Sequence, residues 1–408
     1  MDGPYKRLAL AVSGPGGRLA SVTDSLKSHF LLDPRVVFLN HGSFGACPRP
    51  VFETYQRWQR ELERQPVEFL ARRAEGLMAE ARARLAGTLG CQADEVVYFP
   101  NPTTAVNMVA RSLELGPGDE ILATDHEYGA MDRTWRFICQ NHGARYVRLP
   151  IPLPVTSQSD FVERLWSGVN PRTRAVFLSH ITSQTALKFP VEAVCERARR
   201  AGLLSIVDGA HAPGQIPLDL TTLGADLYTG ACHKWLCAPK GASFLFARRE
   251  TQPLLKPLVV SWGWESDKPS ASTFIDHHEW QGTRDLAAFL SVPAAIDFQA
   301  QHDWPAVRQR CHDLASRTRA EINAVTGLDP ICPDSPEWFM QMFAARLPEV
   351  EVVLLQRRLY KRYRIEVPMH RWNGQPLIGP FFQAYDTPAD AETLVVALSE
   401  LLPARKSQ

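Results

Sequence analysis

Asp208 and Lys234 are the pair whose residue types and spacing could do chemistry. Asp208 closes the apolar run Ser205-Ile206-Val207 and is followed by GAHAPG. A second run, ADLYTGA at 225–231, leads into His233 and Lys234, 26 positions beyond Asp208. That interval is enough for one excursion and one adjacent strand. In parallel α/β sheets, ligand groups gather at the carboxyl ends of strands, so both side chains are expected on one rim. A carboxylate beside a lysine in that setting suits pyridoxal 5′-phosphate (PLP). The lysine amine forms a Schiff base with the cofactor aldehyde. The carboxylate keeps the pyridine nitrogen protonated, so the ring accepts electrons from a substrate carbanion. Taken alone, an Asp after a strand is an ordinary turn or cap residue, and a lone Lys is an ordinary solvated group. The joint pattern carries the reading.

Elements able to position this pair surround it. Apolar runs at Val96–Phe99, Glu120–Thr124, Arg145–Leu149, Ala175–Ser179, Ser205–Val207, Ala225–Tyr228 and Ser243–Ala247 read as strands. Helical patterns lie between them near 103–114, 129–142, 159–168 and 191–201. This alternation predicts an α/β fold with a mainly parallel seven-stranded sheet. Residues 1–35 read as an arm with a short helix near Asp24–Leu31, and amphipathic helices follow at about 50–64 and 67–88. A long helical pattern after Gly282 leads into mixed strands and helices. The expected division is an arm at 1–35, a large domain at 36–295, and a smaller α+β C-terminal domain at 296–408 that packs with part of the N-terminal segment.

Bulk properties narrow the function. The 408 residues are too many for one ordinary core. Lys plus Arg is 45 against 44 for Asp plus Glu, a net charge of +1. That balance argues against nucleic acid or an acidic membrane face as the main partner. The eight cysteines form no CxxC, which fits reduced, cytoplasmic usage rather than a disulfide framework or a zinc site; no metal is expected. Leu8–Val12 is too short for a secretory signal, and no run approaches the roughly 18 apolar residues of a membrane span. No GxGxxG follows a strand, which argues against a dinucleotide enzyme.

DGAHAPG (208–214) followed by TGACHKWLCAPKG (229–241) resembles the class V aminotransferase family of fold type I PLP enzymes. Within it, the chain resembles the isopenicillin N epimerase-like branch, which includes carbon–sulfur lyases. The resemblance spans roughly 36–400 and takes in FLNHGSFGACPRPV (38–51), PVEFLARR (66–73) and HEYGA (126–130). It implies a catalytic group of Lys234, Asp208 and Tyr128. Thr103 and Thr104, at a helix start that also favours phosphate by its dipole, would hold the phosphate, with His233 reaching it. Tyr128 would stack on the pyridine, with His126 as the alternative. Ser183 and His211 match positions that bond the phenolic oxygen. Thr283 matches a threonine lent to the partner subunit's phosphate, which implies a homodimer with shared sites.

Three departures bear on the reaction. The family's desulfurases use a cysteine in a C-terminal loop, whereas here 333–408 has none. The arginine that clamps the substrate carboxylate in this branch falls on Gly379, in LIGPFFQAYDT; Arg371 is the nearest replacement. Ala231 stands where relatives carry a polar residue. The freed Lys234 is the expected base at Cα. β-Elimination of the carbon–sulfur lyase type ranks slightly ahead of epimerisation, because inversion needs a second proton carrier; Tyr128 and His41 are the candidates, and His41 is also a candidate substrate contact. Transamination and decarboxylation are further outcomes. A PLP-fold binding or regulatory protein is the alternative from a different class.

Overall fold

Successive residues of the central strands enter two separate apolar layers. The computed structural model describes residues 26–403. Val96 and Tyr98 pack into one core cluster, and Val97 and Phe99 into the other. Val176 and Leu178 likewise oppose Ala175 and Phe177. Side chains alternate across a strand with period two, so a sheet covered by helices on both faces needs apolar residues at every position. This explains why the strands read as continuous apolar runs.

The strands in chain order are β1 Val37–Phe38, β2 Val96–Phe99, β3 Glu120–Thr124, β4 Arg145–Leu149, β5 Thr173–Ser179, β6 Leu204–Asp208, β7 Leu227–Ala231, β8 Ser243–Ala247, β9 Ala345–Arg346, β10 Ile365–Glu366, β11 Met369–Trp372 and β12 Gln375–Ile378. β2 to β8 form one seven-stranded sheet in the order β2-β8-β7-β6-β5-β3-β4. β8 runs antiparallel to both its neighbours, and the remaining pairs are parallel. The chain leaves β3 for β4 on one side and then returns to place β5 on the other. Strand order therefore reverses between β3 and β5, and such a reversal opens a crevice at the carboxyl ends of the strands.

Three strands differ from the expected bounds: β5 begins two residues earlier, at Thr173, β6 gains a residue at each end, and β7 is displaced. The run at 225–228 forms β7 two residues later. Asp226 instead accepts hydrogen bonds from the Ser205 N–H and hydroxyl, both at 2.8 Å, and the ladder with β8 runs from Leu227 opposite Ala247 to Ala231 opposite Ser243. The helical pattern at 67–88 divides into Pro66–Glu68, a π turn at Phe69–Arg73 and Ala74–Leu89. The expected helix near 24–31 is a single 3₁₀ turn, Leu26–His29, with its first two residues outside the described range. The pattern after Gly282 breaks into Ala287–Leu290, Val292–Gln301 and Trp304–Thr326.

The C-terminal part carries the antiparallel sheet β11-β12-β9. Parallel pairing of β1 with β10 ties the N-terminal segment to it. Phe30 continues that tie by packing edge-on against Tyr385 and Phe298. Among the described residues, no helix is long and apolar enough to cross a membrane.

Candidate active site

The ends of β5, β6 and β7 and the start of the helix after β2 enclose a cavity of about 170 Å³, lined among others by Asp208, His211, His233 and Lys234. Asp208 is the last residue of β6, flanked in register by Ser179 of β5 and Thr229 of β7. Its Oδ1 accepts the Ala210 N–H at 2.9 Å. Oδ2 accepts no protein hydrogen bond among the described contacts and can face a ligand. Burial raises the Asp208 carboxyl, while the Ala210 N–H and the Lys234 charge oppose that rise. A protonated ring nitrogen beside Oδ2 would restore the carboxylate.

Lys234 meets this carboxylate from the turn after β7. Burial pushes its amine down to about 8, with Asp208 pulling the other way. The hydrogen-bond pattern agrees. Trp235 Nε1–H donates to His211 Nδ1 at 3.2 Å. An indole is only a donor, so the neutral His211 ring carries its proton on Nε2. That nitrogen lies 3.1 Å from Lys234 Nζ, which can accept the bond in its deprotonated, nucleophilic form. Burial and the neighbouring Lys234 hold His211 well below its ordinary range, and this keeps the ring neutral.

The backbone of Lys234 is clamped from the N-terminal segment. His41 Nε2 lies 2.9 Å from the Lys234 carbonyl and Nδ1 lies 3.0 Å from the Tyr385 hydroxyl. Nε2–H therefore donates to the carbonyl, and Nδ1 accepts from the phenol. Gly45, at φ +71°, lies so close that a Cβ would sit 1.9 Å from the His233 carbonyl oxygen. The expectation that His41 touches substrate is corrected: it is fully buried beneath the lysine turn and lines no part of the cavity.

The helix Pro102–Ser112 starts at the cavity. Asn101 caps it, and its Oδ1 accepts both the Thr104 N–H at 2.8 Å and the Thr104 hydroxyl at 3.0 Å. Thr104 is thereby committed to the cap and is not a lining residue, whereas Thr103 lines the cavity. His233 lines it too, and its Nδ1–H donates to the Ala242 carbonyl at 3.0 Å. Burial pushes His233 down to about 4, so its Nε2 carries a lone pair at neutral pH. It would gain a proton on meeting a phosphate dianion. Thr283 is exposed and lines no part of its own chain's cavity.

Tyr128 and Ser183 stand at the cavity mouth and also line an outer cavity of about 460 Å³. Tyr128 is 47% exposed. The alternative stacker, His126, is buried; it bonds Thr185 and the Ile151 carbonyl and lines neither cavity. Arg371 is not brought to the site. Both its terminal nitrogens bond Glu349 and it also donates to the Gly374 carbonyl, and it lines neither cavity. The space at Gly379 is filled by Phe381, whose ring lies 3.0 Å from where a Cβ would be. Ala231 is buried in β7 and lines neither cavity, and neither does any of the eight cysteines, all free.

Sequence reasoning passed over Trp235, Glu127 and Arg133. Glu127 is buried, and it accepts from the Thr124 hydroxyl at 2.6 Å and from the Ser179 N–H and hydroxyl at 2.8 and 2.6 Å. It joins the ends of β3 and β5 and so sets the neighbouring Tyr128. Burial pushes its carboxyl up to about 8. Its only signal in the chain was its place beside Tyr128.

A buried lysine of lowered basicity, a strand-end carboxylate with an open oxygen and a helix start with polar side chains form a donor set that fits PLP, on the fold type I of PLP-dependent enzymes. A solved cysteine desulfurase from Thermococcus onnurineus NA1 shares this fold, with a TM-score of 0.81 and 17% identity over 94% of this chain and 99% of that one. The aminotransferase class-V profile matches residues 46–381, and the chain belongs to that family of PLP-dependent enzymes. It is 39% identical to an isopenicillin N epimerase from Amycolatopsis lactamdurans over 94% of this chain and 99% of that one. It is also 27% identical to a probable chloroplastic L-cysteine desulfhydrase from Arabidopsis thaliana, over 96% and 88%.

Proposed function

We propose that this enzyme removes the α-proton of an amino-acid-type substrate through Lys234 and returns a proton so as to invert that carbon. The observation that carries the reading is the Trp235–His211–Lys234 chain, which holds a buried amine at the same cavity as Asp208. When bound, PLP supplies an aldehyde that captures the substrate amine and a ring that takes up the electrons left at Cα. Asp208 would hold a proton on the pyridine nitrogen. His211, through Nε2–H, and the Ser183 hydroxyl would hold the phenolic oxygen. Thr103 and a protonated His233 would hold the phosphate, with Thr104 acting through the helix cap. Tyr128 would cover the ring and carry the second proton, because it borders the cavity and reaches solvent.

Thr283 would complete a partner subunit's phosphate site in a homodimer. The eight free thiols fit a reducing cytoplasm. A boundary near residue 295 would let the C-terminal part carry His370 and Phe381 to the mouth of the large domain's site.

Inversion is placed ahead of β-elimination because similarity to the epimerase relative is higher and covers nearly the whole of both chains. The desulfhydrase relative favours β-elimination as the second reading. Holoenzyme in deuterated water separates them. Cα deuteration with loss of optical activity is expected. Pyruvate with ammonia would establish elimination instead, and no α-exchange with any amino-acid-type substrate would sink both.

A further inference from the structure

The outer cavity meets the inner one along Ser43, Tyr128 and Ser183. Arg133 is the one side chain in its lining with a permanent charge. Its described hydrogen bond runs from Nη1 to the Gly129 carbonyl at 2.8 Å, and it pairs with no carboxylate among the described residues. Gly129 permits this fold-back, since a Cβ there would lie 3.0 Å from Nη1. His370 also lines the cavity but adds no charge: burial pushes it down, and its Nε2–H is given to the Gln184 carbonyl. The side chains of Ser183 and Gln184 flank the space as neutral donors with no described protein partner.

The other places for a carboxylate-binding arginine are taken. Phe381 occupies the space over Gly379, and Arg371 is bound to Glu349. Arg133 does not simply replace the missing clamp, however. A group bonded directly to Cα must share the inner cavity with Lys234, and Arg133 does not line that cavity. It stands five residues beyond Tyr128, about 7.5 Å along the helix at 1.5 Å per residue. The geometry points to Arg133 as the specificity residue for an anionic group at the far end of the substrate side chain. The substrate class is then an amino acid, or an amino-acid conjugate, with a second carboxylate several bonds from Cα. A guanidinium suits this task, because its fork bonds both carboxylate oxygens.

The inference rests on Lys234 being the cofactor lysine, so its test reads binding and cofactor separately. PLP-reconstituted enzyme is titrated by calorimetry with L-α-amino diacids from glutamate to 2-aminosuberate. Each is compared with the monoacid that ends in a methyl group at the same length. The same samples are scanned for a visible cofactor band and for borohydride fixation of PLP on Lys234. At least one diacid is expected to bind roughly tenfold more tightly than its methyl counterpart, the scale of a hydrogen bond to a charged group. Arg133→Gln should erase that preference and leave the methyl-ended ligands within about twofold, while Arg133→Lys should keep part of it. No preference in the wild type, or an equal preference in Arg133→Gln, overturns the assignment. A preference without a cofactor band would leave the anion site standing and fail the lysine instead.

Discussion

The two cavities are built in opposite ways. The inner one is set by strand ends. Asp208 is the last residue of β6, Lys234 follows β7, and each is fixed by short bonds to its neighbours. The outer one gathers Ser43, Arg133, Gln184, His370 and Phe381 from segments far apart in the chain, and it opens to solvent. A buried site whose groups are each anchored by a protein bond is held in one arrangement and would suit invariable chemistry at Cα. A site of half-exposed side chains can be changed without disturbing a strand, and it suits the choice of substrate. On the proposed reading, reactivity and selectivity would thus be placed on different kinds of structure.

The contrast breaks if inner-cavity variants turn out mild. On the proposed roles, Lys234→Ala would remove both the attachment and the base, and kcat should fall by on the order of 10³-fold or more. PLP should then be lost on gel filtration, and a variant that keeps both turnover and bound cofactor would overturn the site. Asp208→Asn keeps the shape but loses the charge at the ring nitrogen, so a fall of roughly 10²-fold is expected in steady-state assays. Its PLP binding should weaken less than its turnover.

pH sharpens the same comparison. Below about 8 the free Lys234 amine is protonated and cannot attack an aldehyde. The rate at which apoenzyme captures PLP should therefore rise about tenfold per pH unit and level off above that value. Stopped-flow absorbance reads this directly, and a rate that still climbs tenfold per unit above about 9, toward the ordinary lysine range, would refute a lowered amine.

Smaller effects follow outward. Trp235→Phe releases His211 Nδ1, and the loss of one neutral hydrogen bond should cost about fivefold in kcat. A changed pH profile would separate this from simple repacking. Arg371→Ala lies off both cavities and on an exposed ion pair, so kcat/KM should stay within about twofold. A large KM effect there would return Arg371 to the substrate site.

Much of the inner site was legible in the chain. Strand, carboxylate, excursion, strand and lysine form a local order, and a parallel sheet turns that order into one rim. Thr103 and Thr104 were legible as a helix start, but not that Asn101 would take the Thr104 hydroxyl for the cap. His41 was legible as special, and its role was misread. Its partners are the Lys234 carbonyl and Tyr385, 193 and 344 positions away, and no spacing rule reaches that far.

That the lysine and the carboxylate share one rim was thus set by residue order, because period-two apolar runs and their turns act over short distances. Tertiary packing alone decided that Lys234 is buried and meets Nε2 of His211, since the indole that orients that ring must first be brought against it. It also decided that Arg371 is spent on Glu349, while Arg133 is left facing the outer cavity. Which arginine is free to meet a ligand depends on where every carboxylate comes to rest, and that is fixed only once the chain has folded.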